Sequence, residues 1–189
     1  MFYATIEPPF TLKFREMSRK ELRDYFEWFH CVRPHRLGEL AKAVRHTPGF
    51  EGWRPDLTVT SLGPLGDWFS LQVEIRLRTP DEMQEGELHN ICLVGVAQEE
   101  LTNRTFSLAI DVGMYLSEVF LNNCQGLRWD QLFGNKKFVD YGQPVLVGFG
   151  VVPFNPVRMV VTYAYGVASK KEGGKGLRDI YDIWSRLIG

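Results

Sequence analysis

The stretch from Ser107 to Trp129, SLAIDVGMYLSEVFLNNCQGLRW, constrains the fold of this chain more than any other. Read as a helix it is almost wholly apolar with a thin polar stripe, and it runs through Gly126 into a strand-like segment. A helix that is apolar on nearly every side is stable only inside a core. The pattern therefore predicts a central helix that starts between Glu99 and Arg104 and ends near Asn123, with Gly126 as its C-terminal stop. Val112, Tyr115, Leu116 and Val119 are its expected core residues.

The flanking segments supply layers for that helix to pack against. Ser18 and Glu21 have the spacing of a capping box and open a first helix, whose apolar face carries Leu22, Tyr25, Phe26, Phe29 and Val32. Pro34 is expected to kink or restart it, and a second segment runs to about His46. Asp56 or Thr58 caps a third helix bearing Leu62, Leu65, Trp68 and Phe69. The following FSLQVEIRL, Phe69 to Leu77, reads equally as more helix or as a short alternating strand. Leu127 to Phe133 alternates, Gly134-Asn135 can turn, and Lys137 to Tyr141 can return, which makes a hairpin; Val145 to Gly150 reads as a further buried strand. Asn155 and Pro156 start a helix to about Ser169, KKEGGKG forms a surface loop, and an amphipathic helix over Leu177 to Ile188 closes the order. The expected fold is α+β: a mostly helical single domain over residues 1–189 with a small antiparallel sheet.

Asp111 and Glu118 are the residues of the central helix that invite chemistry. Seven positions apart, they share a face with Ser107 and Asn122, but their Cα atoms stand about 10 Å apart along the axis. That exceeds the roughly 5–5.5 Å between the carboxyl groups of a retaining glycosidase. The competing reading is a solvent-facing polar strip, or a carboxylate that pins a nearby backbone or Arg128. His30, Cys31 and His35 lack metal-ligand spacing, because no CxxC or HxxxH accompanies them. Cys92, with His89 three residues before it, shows no orienting group or oxyanion donor of a nucleophile. Gly148-Phe149-Gly150 lacks the third glycine and the helix of a dinucleotide loop. No metal and no cofactor is expected. Trp28 falls beside the apolar face of the first helix, and it is the first candidate for an aromatic binding residue.

Charge and cysteine usage narrow the partners. With 22 basic and 23 acidic residues the net charge is −1, which leaves no overall electrostatic footprint for nucleic acid or an anionic membrane, although a local patch is compatible with it. Three scattered cysteines are no disulfide framework. The start, MFYATIEPPF, has no basic segment followed by a long apolar run. The longest apolar run, Pro144 to Phe154, is too short for a membrane and holds two glycines and two prolines. A cytoplasmic protein without membrane or nucleic-acid partners is the expectation.

Two patches, DLTVTSLGPLGDWF (Asp56 to Phe69) and IDVGMYLSEVFLNNCQGLRW (Ile110 to Trp129), resemble a pattern that recurs in small bacterial proteins. There a short D-x-S-x-x-SL-x-x-L-x-x-W helix precedes a G-x-YLGEV…G-x-x-W helix and strand. The likeness covers about 35 of the 189 residues, with Thr58 in place of the serine and Ser117 in place of the second glycine. It is similar to bacterial domain-of-unknown-function and toxin-immunity families. The resemblance implies a bacterial, intracellular, non-enzymatic binding protein, and it brings no catalytic residues with it. Three functional classes follow: a protein-binding, immunity-type protein that occludes another protein such as a toxin, with Trp28, Asp111 and Glu118 as binding residues; a structural or accessory subunit, homo-oligomeric through an apolar face; and an enzyme using Asp111, Glu118 or Cys92.

Overall fold

The structure, a computed structural model, describes residues 3–81 and 98–188. It is a mostly helical α+β arrangement built around the expected central helix. Among the described residues the order is α1 (Arg19–Arg45), a 3-10 turn (Val59–Ser61), α2 (Leu62–Gln72), β1 (Ile75–Leu77), β2 (Glu99–Leu101), α3 (Asn103–Asn123), β3 (Arg128–Gln131), β4 (Pro144–Val147), α4 (Pro156–Ala168) and α5 (Gly176–Ser185). His89 and Cys92 lie outside the described residues.

Helix α3 is the centre. Thr102 caps it, accepting from the Thr105 N–H, and the chain is buried almost continuously from Ser107 to Ser117. Val112, Tyr115, Leu116 and Val119 are each no more than 1% exposed, as the apolar pattern requires. Its most extensive packing is against α4, and α1 crosses it on another side. The α3–α4 approach is close because Gly113 has no side chain: a Cβ there would stand 2.9 Å from Val157 Cα.

Helix α1 opens with both bonds of the capping box: Ser18 Oγ accepts from Glu21 N–H, and Glu21 Oε2 accepts from Ser18 N–H at 2.7 Å. It then runs unbroken for 27 residues, so Pro34 neither ends nor restarts it. Pro34 is exposed, while Phe29 before it and Leu40 after it are both buried. Burial on both sides of the proline outweighs the one backbone bond it removes.

The two readings of Phe69 to Leu77 are each half right. Helix α2 continues through Phe69 to Gln72, and the chain then extends into β1, which pairs antiparallel with β2, Ile75 opposite Leu101. The second sheet corrects the expected hairpin. β3 pairs antiparallel with β4, Trp129 opposite Leu146, and not with Lys137 to Tyr141. That segment is used otherwise: Asp140 is buried against Arg158 and Asn155, Tyr141 is buried in an aromatic cluster, and Gly142, at φ +68°, donates to Leu132 O. Asn155 and Pro156 begin α4 as expected, with the Asn155 side chain accepting from Arg158 N–H.

Candidate functional site

The polar stripe of α3 does not meet Arg128, which pairs with Asp130, and of its four residues only Asn122 is exposed. Asp111 is fully buried and bound by Arg36 of α1 through two hydrogen bonds, Nε to Oδ1 at 2.8 Å and Nη2 to Oδ2 at 2.7 Å. Tyr3 donates its hydroxyl to Oδ2 at 2.5 Å, and Ser107 Oγ accepts from the Ile6 N–H at 2.7 Å. The sequence therefore spends Ser107 and Asp111 on fastening the N-terminal segment and α1 to α3. Burial raises the Asp111 carboxyl pKa against the opposing pull of Arg36 and Tyr3. Burial alone would lower that of Arg36, but the bond and charge of Asp111 prevail and raise it. These shifts point in opposite senses for the pair, and the geometry decides: donors on both oxygens hold the carboxyl ionised.

Glu118 lies two turns further along α3 and meets a second α1 arginine, with Arg33 Nε 2.9 Å from Oε1. Arg33 also donates from Nη1 to His30 Nδ1 at 2.6 Å, which places the His30 proton on Nε2. His30 stands edge-on to Trp129 of β3 at 5.2 Å, and the Arg33 guanidinium lies 5.5 Å from the Trp129 ring centre. Burial, with Arg33 second, pushes the His30 pKa down to about 4, so the ring is neutral near pH 7. In this half-buried junction His30 Nε2, Trp129 Nε1 and Glu118 Oε1 are occluded without a well-aligned hydrogen-bond partner among the described residues. Cys31 and His35 are exposed and do not join it. Among the described residues no three His, Cys, Asp or Glu side chains are grouped to hold a metal ion.

Trp28 turns out to be part of a support rather than an exposed anchor. It is half-buried, 5.9 Å from Phe10 and 5.5 Å from Tyr25 between ring centres. These rings belong to a satellite cluster of Met17, Leu22, Tyr25 and Tyr141, flanked by Phe10, Leu12, Phe14, Trp28 and Phe133. The cluster joins the 10–17 segment, the first turns of α1 and the 133–141 connection.

A basic rim sits on this aromatic platform. Arg15 Nη2 donates to Lys137 O at 3.3 Å, and Lys136 Nζ donates to Arg15 O at 3.2 Å, so cations from two distant stretches interlock. Arg19 lies 5.3 Å from the Phe133 ring centre and Lys136 6.0 Å from that of Tyr141. Of Lys13, Arg15, Arg19, Lys136 and Lys137, only Lys13 has a carboxylate within 4 Å among the described residues, Glu16 at 3.9 Å. Arg15, Arg19 and Lys136 turn to carbonyls or ring faces, which leave their charge uncompensated. Beside Lys13 and Arg15 is a groove of about 380 Å³, lined also by Phe14, Glu16, Val139, Tyr141 and Gln143, with Phe138 and Val139 exposed by 37% and 51%. Sequence reading passed over this face because Lys13 to Arg19 and Lys136-Lys137 each look like ordinary solvated charge. The aromatic residues interleaved with both stretches, Phe14, Phe133, Phe138 and Tyr141, were the available signal.

No protein-family model matches this chain, and neither curated proteins nor solved structures provide a match. Among the described residues no helix is long and apolar enough to cross a membrane.

Proposed function

We propose that this protein acts by binding another protein and catalyses no reaction, and that its basic aromatic face takes an acidic, partly apolar segment of that partner. The observation that carries the reading is the uncompensated cation cluster around exposed Phe138 and Val139, on a chain whose net charge is only −1. An apolar centre with a charged rim is the general anatomy of a protein interface. Complementary charge would steer the partner and fix its orientation. Asp111 and Glu118 support the same reading, since arginines of α1 hold both and their role is structural. In its narrower form, drawn from the bacterial resemblance, the partner is a toxin that this protein occludes. Free Cys31 and Cys124 suit a reducing, cytoplasmic setting.

Elsewhere Val151, Val152, Ile183 and Leu187 are exposed by 99%, 49%, 58% and 47%. Leu187 O lies 3.7 Å from where a Gly150 Cβ would stand, so the 149–152 turn abuts the end of α5. These exposed aliphatic side chains favour a second reading, a homo-oligomeric accessory subunit.

The test is affinity capture from the source organism with the wild type and with Lys136→Glu/Lys137→Glu/Phe138→Ser. The partner should be lost from the variant at unchanged thermal melting, and wild-type capture should weaken with salt. Equal capture by both proteins would refute the assignment of this face. Loss of capture with Val151→Ser/Ile183→Ser instead, together with loss of self-association in light scattering, would favour the subunit reading. Turnover of a substrate that disappears in Asp111→Asn at unchanged melting would sink the non-enzymatic reading.

A further inference from the structure

A second cleft, of about 470 Å³, lies between the extended N-terminal segment, the last turns of α1, α2 and the start of α3. Its size falls in the roughly 300–1,000 Å³ range of small-ligand sites. Tyr3, Ala43 and Trp68 give it apolar wall, and Lys42, His46 and Arg104 give it polar groups. We propose that it binds a small organic oxyanion, a carboxylate or a phosphate monoester on an apolar body, through Arg104. The proposal is independent of the protein-binding reading.

Charge selects the ligand class. Glu39 and Lys42 both line the cleft and neutralise each other at 2.8 Å. Arg104 has no carboxylate within 4 Å among the described residues, yet it is half-buried. Its guanidinium is aimed by Gln72, with Nη2 donating to Oε1 at 2.8 Å. A half-buried, oriented guanidinium with unused N–H donors matches an oxyanion, which accepts several of them at once. The formal charge of the lining is one positive unit with His46 neutral, which suits an anion and disfavours a cation.

The cleft is also held in shape before any ligand arrives. Trp68 Nε1 donates to Thr47 Oγ1 at 2.8 Å, and Thr47 Oγ1 donates to Ala43 O at 2.9 Å. His46 Nδ1 donates to Lys42 O at 2.7 Å, which leaves Nε2 as an acceptor for a ligand N–H or O–H. Tyr3 is locked at its hydroxyl by Asp111 and Arg36. The buried ion pair therefore anchors one wall of the cleft, and a preformed site loses less entropy on binding.

Phenylacetate, phenyl phosphate and benzyl alcohol, which share one apolar body, are the probes, read by amide chemical-shift titration of the full chain. Saturable millimolar binding of at least one anion, with shifts centred on Ala43, Thr47 and Arg104, is the expected result; benzyl alcohol should bind about tenfold more weakly or less. The better of the two anions identifies the headgroup. Arg104→Gln should reduce the anion to the level of the alcohol, and Arg104→Lys, which keeps the charge without the fork, should fall between. An unchanged spectrum outside the cleft controls for folding. The proposal is overturned if neither anion gives saturable shifts, if alcohol and anion bind alike, or if both Arg104 variants bind as the wild type does.

Discussion

Replacing Arg36 by Met isolates the interaction that ties α1 and the N-terminal segment to the central helix. The substitution keeps much of the side-chain volume but strips Asp111 of both guanidinium bonds, at 2.7 and 2.8 Å. Asp111 is 0% exposed, so water cannot replace them without opening the packing. Removing one partner of a buried pair costs about 3–5 kcal/mol. The Tyr3 hydroxyl remains on Oδ2 and favours the lower part of that range. For a chain of this length each kcal/mol shifts the melting temperature by about 2–4 °C, so a fall of about 6–20 °C is expected. Arg36→Met/Asp111→Leu removes the orphaned charge as well and should recover most of the loss, because an apolar pair avoids desolvation. Urea titration by circular dichroism measures all three proteins, and the double variant separates charge from packing. A single-variant loss below about 1 kcal/mol, or a double variant worse than the single, would refute the argument that an uncompensated buried charge dominates.

Two glycine substitutions should move stability in opposite directions. Gly113→Ala would put a methyl 2.9 Å from Val157 Cα, a backbone atom that cannot step aside, and should cost about 1–3 kcal/mol despite better helix propensity. Gly38→Ala on α1, where a Cβ meets nothing within 4 Å, should stabilise by up to about 1 kcal/mol; equal denaturation midpoints for the two would contradict the close α3–α4 approach. His30 sets a pH dependence. Its folded pKa of about 4 lies below the ordinary 6.5, so as pH falls through that window the unfolded chain takes up a proton that the folded chain does not, and stability declines. In denaturation series at pH 7 and pH 4.5, His30→Gln should decline less than the wild type, and parallel declines would remove His30 as a source.

How much was legible beforehand depended on whether the deciding contact was local. Caps and apolar stripes are properties of neighbours in sequence, and Ser18, Glu21, Asn155 and Pro156 all act where the pattern placed them. The return strand is different, because two segments could satisfy β3. The choice went to Pro144–Val147 once Asp140 and Tyr141 were buried elsewhere, and those partners are spread over three segments. The candidate residues divide in the same way. Asp111 and Glu118 were visible as a paired stripe, but a stripe of carboxylates looks alike whether it faces water, a metal or arginines.

The amino-acid order by itself determined that residues 103–123 form a helix buried over most of its length, because a segment apolar around nearly its full circumference has no stable exposed position. It also settled where α1 and α4 begin, since a capping side chain reaches only its own first turn. Tertiary structure alone decided that Asp111 and Glu118 are fastened to Arg36 and Arg33, that Trp28 underlies a surface, and that Arg15 meets Lys136 and Lys137 across more than a hundred residues. Charges so far apart in sequence have no mutual energy until packing brings them together, because Coulomb interaction depends on distance in space and is screened within about 10 Å in solution.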